Sequence, residues 1–290
     1  MKIIIALGGN AILRKGENFK DLGRHVKEVC KKIKKISRGN KIIITSGNGS
    51  EIGYLLLQNE LASKKVPVLG LDVLGAESQG LIGYLLEREL RSLGVKAVSL
   101  FSQVLVDKKF MKPTKFIGEF YSKKEALKKD FVVKEDFPRG YRRVVASPRP
   151  LKVLGVDVIK KLSKSHIVIS CVGGGVPVYY FKGKLKGLEG VIDKDLSSAS
   201  LGKSLKAKIL LIITDVDKVY LNYGKKNQKG ISKMDVLEAK KYMNHFSEGS
   251  MKPKIEAAID FLKVGKRVVI TNIKNVEKAL KGKAGTLVVR

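Results

Sequence analysis

Three lysines stand where a cation could take part in chemistry. Lys194 lies between two aspartates just before an apolar stretch of small residues, so we expect it near a helix N-terminus. Lys254 lies in the first turn of another predicted helix, where a cation is unfavourable unless an anion is bound. Lys115 lies in an irregular segment and could reach over a site from outside. Cations so placed are suited to a phosphate.

The residues around Lys194 also have an explanation that needs no ligand. Asp193 would cap the helix, and Asp195 would complement its dipole. Lys115 by itself would be read as a surface lysine. An anion site and ordinary helix capping therefore both remain open from local sequence.

Glycine turns follow three of the predicted strands. They are Gly-Gly-Asn-Ala at 8–11, Ser-Gly-Asn-Gly at 46–49 and Gly-Gly-Gly at 173–175. Open α/β sheets bind ligands at the carboxyl ends of their strands, and glycine lets the main chain approach an anion closely. Each turn alone could be an ordinary tight turn. Three of them at one sheet edge favour the binding of a phosphate or carboxylate.

Several common motifs are missing. Gly202-Lys203-Ser204 resembles the end of a P-loop, but Ser197 occupies the position of the first required glycine. The sequence has no G-x-G-x-x-G fingerprint and no G-x-S-x-G elbow. Its three histidines and two cysteines lack metal or redox spacing. We therefore expect no protein-held metal and no protein nucleophile.

The composition limits the class of protein. A chain of 290 residues with 44% hydrophobic content can bury a large core without disulfides. The 58 Lys and Arg against 27 Asp and Glu give a net charge of +31, but lysines are spread in short doublets along the whole chain. This spread favours a solvated surface over a nucleic-acid partner. We also expect no membrane span and a cytoplasmic location.

Short Ile- and Val-rich runs alternate with amphipathic stretches. The predicted strands are 2–7, 41–45, 96–100, 167–171, 209–214 and 267–271, and the predicted helices include 24–36, 52–63, 78–92 and 250–264. This βα alternation predicts a parallel sheet covered by helices on both faces. The interval 107–143 breaks the alternation and is expected to form an excursion.

With these segments in order, the chain resembles the carbamate kinases of the amino-acid-kinase family. The matching stretches are ALGGNA (6–11), GNG (47–49), LDVLGAESQGLIGY (71–84), PTKFIGEFY (113–121), RRVVASPRP (142–150), GGGVPV (173–178), VIDKDL (191–196), TDVDKVYLNYG (214–224), GSMKPKIEAA (249–258) and AGT (284–286). The resemblance implies one domain, 1–290, built as a three-layer αβα sandwich around a mainly parallel central sheet. It further implies an acceptor-binding lobe at 1–205, a protruding subdomain at about 107–143, a nucleotide-binding lobe at 206–290, and a homodimer.

The same resemblance implies an activity: ATP and carbamate would form ADP and carbamoyl phosphate, with Mg²⁺ carried by the nucleotide phosphates and no covalent enzyme intermediate. The implied catalytic residues are Lys115, Lys194, Asp195 and Lys254. The implied substrate-binding residues are Gly8, Gly9, Asn10, Gly47, Asn48, Gly49, Gly174 and Gly175. The implied nucleotide-binding residues are Thr214, Asp215, Val216, Tyr220, Tyr223, Met251 and Lys254.

The chain departs from the family at the expected acceptor site. Where the family usually reads HGNGPQVG, this sequence has SGNGSEIG, with Ser46, Ser50 and Glu51 as the main changes. Glu51 would repel a small anion unless it is protonated or paired with a lysine. Glu77 and Lys218 also differ from the residues usual at their positions. Two alternatives therefore remain, a relative that phosphorylates another small carboxylate or phosphate and a nucleic-acid-binding protein that retains the fold.

Overall fold

A computed structural model describes residues 1–13, 17–108, 112–136, 140–247 and 249–290, without the side chains of Asn10 and Glu119. The strands are β1 Lys2–Leu7, β2 Lys41–Ser46, β3 Ala97–Ser99, β4 Gln103–Val106, β5 Pro113–Tyr121, β6 Val133–Glu135, β7 Tyr141–Ala146, β8 Pro150–Val153, β9 Ile167–Ile169, β10 Val176–Phe181, β11 Lys184–Gly187, β12 Ile209–Thr214, β13 Val219–Leu221, β14 Lys229–Ile231, β15 Lys233–Asp235, β16 Arg267–Asn272 and β17 Thr286–Val289. The helices are α1 Gly9–Ile12, α2 Phe19–Ser37, α3 Gly49–Ala62, α4 Leu71–Ser92, α5 Lys123–Ala126, α6 Val156–Leu162, α7 Lys194–Ser204, α8 Val236–Lys241, α9 Met251–Phe261 and α10 Val276–Leu280.

An eight-stranded sheet forms the centre, in the order β15-β17-β16-β12-β1-β2-β9-β3. Every pair in it is parallel except β16 with β17. Alternate residues of β1 enter two different core clusters: Ile4 packs with α7 and α9, and Ile5 packs with α2 and α4. Because side chains alternate across a sheet, helices cover both faces. The predicted α/β sandwich with a mainly parallel sheet is confirmed.

The helices begin where capping residues allow. Asn18 caps α2 by accepting from the amides of Lys20 and Asp21, and the Asp21 side chain accepts from Asn18 N. This capping box starts α2 five residues before the predicted boundary at 24. Along α2, apolar residues recur every three or four positions and are buried against the sheet.

The interval predicted to be irregular contains a separate three-stranded sheet, β5-β7-β6. It extends to Ala146, three residues beyond the predicted boundary at 143. This excursion sheet packs on α3, because Gly53 lies against the backbone of Gly118 so closely that a Cβ would overlap it. Two further small sheets, β11-β10-β4-β8 and β13-β14, were not predicted.

In the part of the chain that the structure describes, no helix is long and apolar enough to cross a membrane.

Candidate active site

The carboxyl ends of β1, β2 and β12 lie side by side, so their turns meet at one edge of the central sheet. Gly8 N donates a hydrogen bond of 2.7 Å to Ile213 O. A Cβ on Gly47 would come within 2.9 Å of Gly9 N and 3.7 Å of Lys194 Cδ. The two glycine turns thus pack on each other and on the Lys194 side chain, which places this lysine at the predicted ligand edge.

The start of α7 supplies the charged groups at this edge. Asp193 is its N-cap and accepts from Asp195 N at 2.8 Å and from Leu196 N at 3.4 Å. The capping interpretation is therefore correct for Asp193. It holds together with the anion-site interpretation, because Lys194 and Asp195 follow in the first turn and both are buried.

Asp195 joins two of the three predicted lysines. Lys194 Nζ lies 2.6 Å from Asp195 Oδ1, and Lys254 Nζ lies 3.3 Å from Asp195 Oδ2. Lys254 also donates to Ser250 O at 3.1 Å, so its position within the first turn of α9 is fixed. Residues about 60 positions apart in sequence share one carboxylate.

The third lysine comes from the excursion sheet. Lys115 Nζ lies 2.5 Å from Asp193 Oδ2. Lys115 is the most exposed member of the cluster, with 29% of its side chain accessible, whereas Lys194 retains 8%. The structure therefore brings Lys115, Lys194, Asp195 and Lys254 together, and it adds Asp193, which was not among the predicted site residues.

The charges determine the protonation of this cluster. Burial alone would raise the pKa of Asp193, but the charge and hydrogen bond of Lys115 hold that pKa well below its usual range. Burial would likewise raise the pKa of Asp195, and Lys194 and Lys254 lower it instead. Desolvation would lower the pKa of Lys254, but Asp195 and Asp193 raise it. Both aspartates are thus ionised at neutral pH.

The pKa of Lys194 is lowered, whereas that of Lys254 is raised. Burial of Lys194 lowers its pKa, and Asp195 offsets only part of that effect. Three ammonium groups share two carboxylates in direct ion pairs, so these five groups carry one excess positive charge, and Asp215 acts on Lys254 from outside the pairs. A buried excess charge is unfavourable, and an anion at this edge would balance it.

The other glycines and Asn48 build the walls of the site. Asn48 is buried, and its amide donates to Ser78 Oγ at 2.7 Å, which anchors the start of α3. Gly174 and Gly175 adopt φ angles of 89° and 86°, and they pack against Ile192 and Val104. Backbone conformation and packing explain these two glycines without a ligand.

Two of the predicted substrate-binding residues contribute less to the geometry. Gly49 is the first residue of α3, and nothing lies within 4 Å of a Cβ built there. Asn10 belongs to α1, but its side chain is outside the described part of the chain. Their roles remain predictions.

The predicted nucleotide-binding residues follow β12 and open α9. Thr214 ends β12 and donates to Asp215 Oδ1 at 3.0 Å, and the charge of Asp215 acts on Lys254. Tyr220 and Tyr223 lie beyond the turn that contains Val216, with ring centroids 5.9 Å apart, and Tyr223 is 66% exposed.

Met251 is the first residue of α9, one turn from Lys254. The predicted nucleotide-binding segment therefore adjoins the charged cluster through Asp215 and the start of α9.

Two functional candidates were missing from the predicted list of site residues. Asp193 was recognisable as a cap, but its pairing with Lys115 depends on a contact between residues 78 positions apart. Glu51 was noted as a departure from the family. The structure buries it to 3% exposure and leaves both side-chain oxygens without a hydrogen-bond partner among the described residues.

The side chains of the protein do not form a metal site of their own among the described residues. Within the described ranges, no three His, Cys, Asp or Glu side chains are grouped so that they could hold a metal ion. The carboxylates of the cluster are each occupied by lysine. The donor set fits a magnesium ion only if phosphate oxygens provide most of its ligands.

The class of protein follows from comparison with known families. The amino acid kinase family matches residues 1–272 of this chain. The chain belongs to the amino acid kinase family. An aspartate kinase from Synechocystis shares its fold with a TM-score of 0.60 at 15% identity.

The full-length relatives place the chain among the carbamate kinases of that family. The carbamate kinase of Pyrococcus horikoshii is 41% identical, covering 99% of this chain and 98% of the relative, and that of Haemophilus influenzae is 43% identical, covering 100% and 97%. The structure of Giardia lamblia carbamate kinase bound to citric acid superposes with a TM-score of 0.93 at 36% identity and covers 99% of this chain and 98% of that one. The chain is a kinase.

Proposed function

We propose that this kinase transfers a phosphoryl group between ATP and carbamate, giving ADP and carbamoyl phosphate. The observation that carries the proposal is the Lys194–Asp195–Lys254 cluster, which has an excess positive charge at the glycine turns. The carbamate kinases at about 40% identity over the whole chain support carbamate as the acceptor.

The mechanism rests on charge and position. A carbamate oxygen attacks the γ-phosphorus, a new O–P bond forms, and the bond from that phosphorus to the bridging oxygen of ADP breaks. The transition state is loose and negatively charged at its outer oxygens, so the enzyme must align the reactants and supply cations. Lys194 and Lys254 are held at fixed positions by Asp195 for this purpose. Carbamate is already an anion and needs no general base.

Lys115 would complete the cationic site from the excursion sheet. Asp193 holds its ammonium group at the α7 N-terminus, and its partial exposure lets it turn toward a ligand. Magnesium bound to the nucleotide phosphates would supply further positive charge. No covalent enzyme intermediate is needed, because the acceptor itself attacks.

The nucleotide would bind on the side of β12, β13 and α9. Thr214, Asp215 and Val216 form the end of β12 and its turn, and the exposed ring of Tyr223 offers a face to the adenine. Residues 1–205 would hold the acceptor and 206–290 the nucleotide. We further propose a cytoplasmic homodimer that has small-molecule substrates and no nucleic-acid partner.

A second acceptor remains a distinct candidate because residues differ from the family at the end of β2 and in the first turn of α3. Ser46 is buried, and its hydroxyl donates to Gly47 O at 3.1 Å. Glu51 is buried nearby in sequence without a partner among the described residues. These changes support the alternative candidate, a family member that phosphorylates a small carboxylate or phosphate other than carbamate.

The experiment measures ATP formation from ADP, Mg²⁺ and carbamoyl phosphate. We expect turnover by the wild type and a loss of about 10³-fold in Lys194→Ala and in Lys254→Ala, because each removes a cation from the transferred group. Lys203→Ala is the matched control, since Lys203 lies at the far end of α7 and pairs with Asp260. An inactive, folded wild type that phosphorylates another acceptor would favour the second candidate.

A further inference from the structure

The first turn of α7 is tied to the central sheet through a buried pair of hydroxyl groups. Thr45 Oγ1 on β2 lies 2.6 Å from Ser198 Oγ, and Ser198 Oγ donates to Lys194 O at 2.5 Å. Thr45 and Ser198 are both fully buried. Two short hydrogen bonds therefore connect the main chain of a proposed catalytic lysine to the strand that ends at the ligand edge.

The direction of these hydrogen bonds follows from their acceptors. A carbonyl oxygen only accepts, so the proton of the Ser198 hydroxyl is used by Lys194 O. Thr45 then supplies the proton between the two hydroxyls. Its other acceptor, Ile5 O, is 3.4 Å away, compared with 2.6 Å to Ser198 Oγ. The two hydroxyls thus act in series, from β2 to Ser198 and from Ser198 to Lys194.

The preceding residue of α7 makes a second contact of this kind. Ser197 is fully buried, and its hydroxyl donates to Gly174 O in the third glycine turn at 2.6 Å. Successive residues of a helix project about 100° apart. Ser197 and Ser198 therefore hold α7 from two directions. One contact fixes a distance, and two contacts also fix the rotation of the helix about its axis.

Apolar packing alone does not require hydroxyl groups in this helix. Ala199 and Leu201 of α7 belong to one core cluster with Ile43 of β2. Alanine at position 197 or 198 would have a higher helix propensity and no polar group to satisfy. Directional hydrogen bonds add a fixed register between the helix and the strand, whereas apolar contacts allow small shifts.

Lys194 is the residue of this turn that needs such an anchor. A cation in the first turn of a helix is unfavourable, and the ammonium groups of Lys194 and Lys254 share one carboxylate, that of Asp195. Before an anion binds, repulsion between the two ammonium groups acts to displace Lys194. Gly47, two residues after Thr45, packs on the stem of the lysine. The end of β2 and its turn thus hold both the main chain and the side chain of Lys194.

We propose that Thr45, Ser197 and Ser198 are positioning residues that hold the Lys194 ammonium group at the place where the phosphoryl group is transferred. They act through the main chain of α7 and not on the reacting atoms. Phosphoryl transfer depends on alignment, and a displacement of about 1 Å can lower its rate by about 10²-fold. The anchoring is independent of the acceptor, and its effect on turnover rests on the proposed function.

Removing one hydroxyl without changing the shape of the side chain tests the contact in series. In ATP formation from ADP, Mg²⁺ and carbamoyl phosphate, Thr45→Val should lower kcat by about 10²-fold. The KM for ADP should stay within about threefold of the wild-type value, because other residues bind the nucleotide. Thr45→Ser restores the hydroxyl and should recover most of the lost kcat. A purely stabilising role would lower the free energy of unfolding, measured in urea, without this loss of kcat.

Combined variants separate contacts in series from contacts in parallel. Ser198→Ala should lower kcat as Thr45→Val does, and the double variant should lose no more than the larger single loss, because both changes break the same connection. Ser197→Ala should add its own loss to that of Thr45→Val. Ser163→Ala is the matched control with wild-type kcat: Ser163 is also buried and donates to Lys160 O at 3.0 Å, but it follows α6.

Hydrogen exchange of the unliganded enzyme tests the anchoring without a substrate. The amides of 197–200, corrected for their intrinsic exchange rates, should lose protection in Thr45→Val and in Ser198→Ala. Their protection should be unchanged in Ser163→Ala and close to that of the wild type in Thr45→Ser. If Thr45→Val does not fold, Ser198→Ala breaks the same connection and leaves Thr45 free to donate to Ile5 O.

Two results would overturn the proposal. The first is a folded Thr45→Val or Ser198→Ala variant that keeps kcat within about threefold of the wild type, since a displaced lysine cannot do so. The second is unchanged protection of 197–200 in both variants. If protection falls but the wild type does not use carbamoyl phosphate, the anchoring stands and the acceptor assignment alone fails.

Discussion

Two helix N-termini, those of α3 and α7, carry buried carboxylates, and the pKa values of these carboxylates are shifted in opposite directions. At the start of α7, Asp193 and Asp195 are matched by three lysines, and the pKa of each aspartate is lowered. At the start of α3, Glu51 is equally buried but has no lysine among the described residues, and its pKa is raised to about 7. Pairing, rather than burial, therefore decides whether a carboxylate in this protein is charged.

The contrast assigns different tasks to the two turns. The paired aspartates hold cations at fixed positions over the whole physiological pH range, which suits a site that must bind phosphates. The unpaired glutamate changes its charge near neutrality, so the stability of the folded chain should depend on pH through this residue. Removing the lysine partners at the start of α7 should therefore raise the pKa of its aspartates, and adding a lysine partner at the start of α3 should lower the pKa of Glu51.

The largest effect is expected from removing the shared counter-charge in Asp195→Asn. Lys194 and Lys254 would then repel each other at a buried position, and their placement would be lost. We expect kcat/KM for ATP formation to fall by about 10³-fold. Steady-state kinetics measure this change, and thermal unfolding checks that the variant is folded. A folded variant within tenfold of the wild type would contradict the role of Asp195.

Removing the unpaired charge in Glu51→Gln should stabilise the protein above neutral pH. The native state keeps the proton that the unfolded chain loses above its ordinary pKa, so the free energy of unfolding decreases as the pH rises from about 4.5 to 7. The variant avoids this loss. At pH 8 we expect the free energy of unfolding of Glu51→Gln to exceed that of the wild type by up to about 3 kcal/mol. At pH 4.5 the two values should differ little. Urea unfolding at the two pH values measures both differences.

A smaller effect is expected from Asp193→Asn. Asp193 both caps α7 and pairs with Lys115, and this substitution keeps the cap but removes the charge. Asparagine caps a helix about as well as aspartate, so the loss of stability should come from the charged hydrogen bond to Lys115 and amount to about 1–3 kcal/mol. Lys115 loses its charged partner, and we expect kcat/KM to fall by roughly tenfold because this lysine is no longer held in position. Asp193→Ala serves as the comparison, since it removes the cap as well. Equal stability of the two variants would show that the cap contributes nothing.

The smallest effect concerns the backbone of the α3 turn. Ser50 is the second residue of α3, where proline lacks only an amide that the helix does not use. The chain already has Pro253 in the first turn of α9. Ser50→Pro should raise the free energy of unfolding by roughly 0.5 kcal/mol, measured against Ser50→Ala. A destabilised proline variant would mean that this turn needs its amide.

Much of the fold could be predicted from the sequence. The predicted strands 2–7 and 209–214 match β1 and β12, because buried parallel strands are continuous apolar runs. The start of α4 was missed by seven residues, since Leu71 and Leu74 pack on the small cluster at α3 and not on the main sheet. The hairpin β10-β11 was missed because its second strand is exposed and lysine-rich and lacks an apolar alternation.

The site could be predicted only in part. The resemblance identified Lys194 and Lys254, but spacing alone could not show that Asp195 joins them. For Glu51, the sequence left protonation and lysine pairing as alternatives, and the structure provides no lysine partner among its described residues. Burial and partner identity depend on contacts between distant segments, which a local pattern does not encode.

The order of strands in the central sheet has a consequence for synthesis of the chain. β1 is made before both of its partners, because it pairs with β2 on one side and with β12 on the other. Until residues 209–214 have left the ribosome, the edge of β1 that pairs with β12 has no partner strand. Its five residues Ile3 to Leu7, all buried in the folded protein, lie along that edge. Such an edge can pair with other chains. The nascent protein must therefore shield β1 until β12 has been translated.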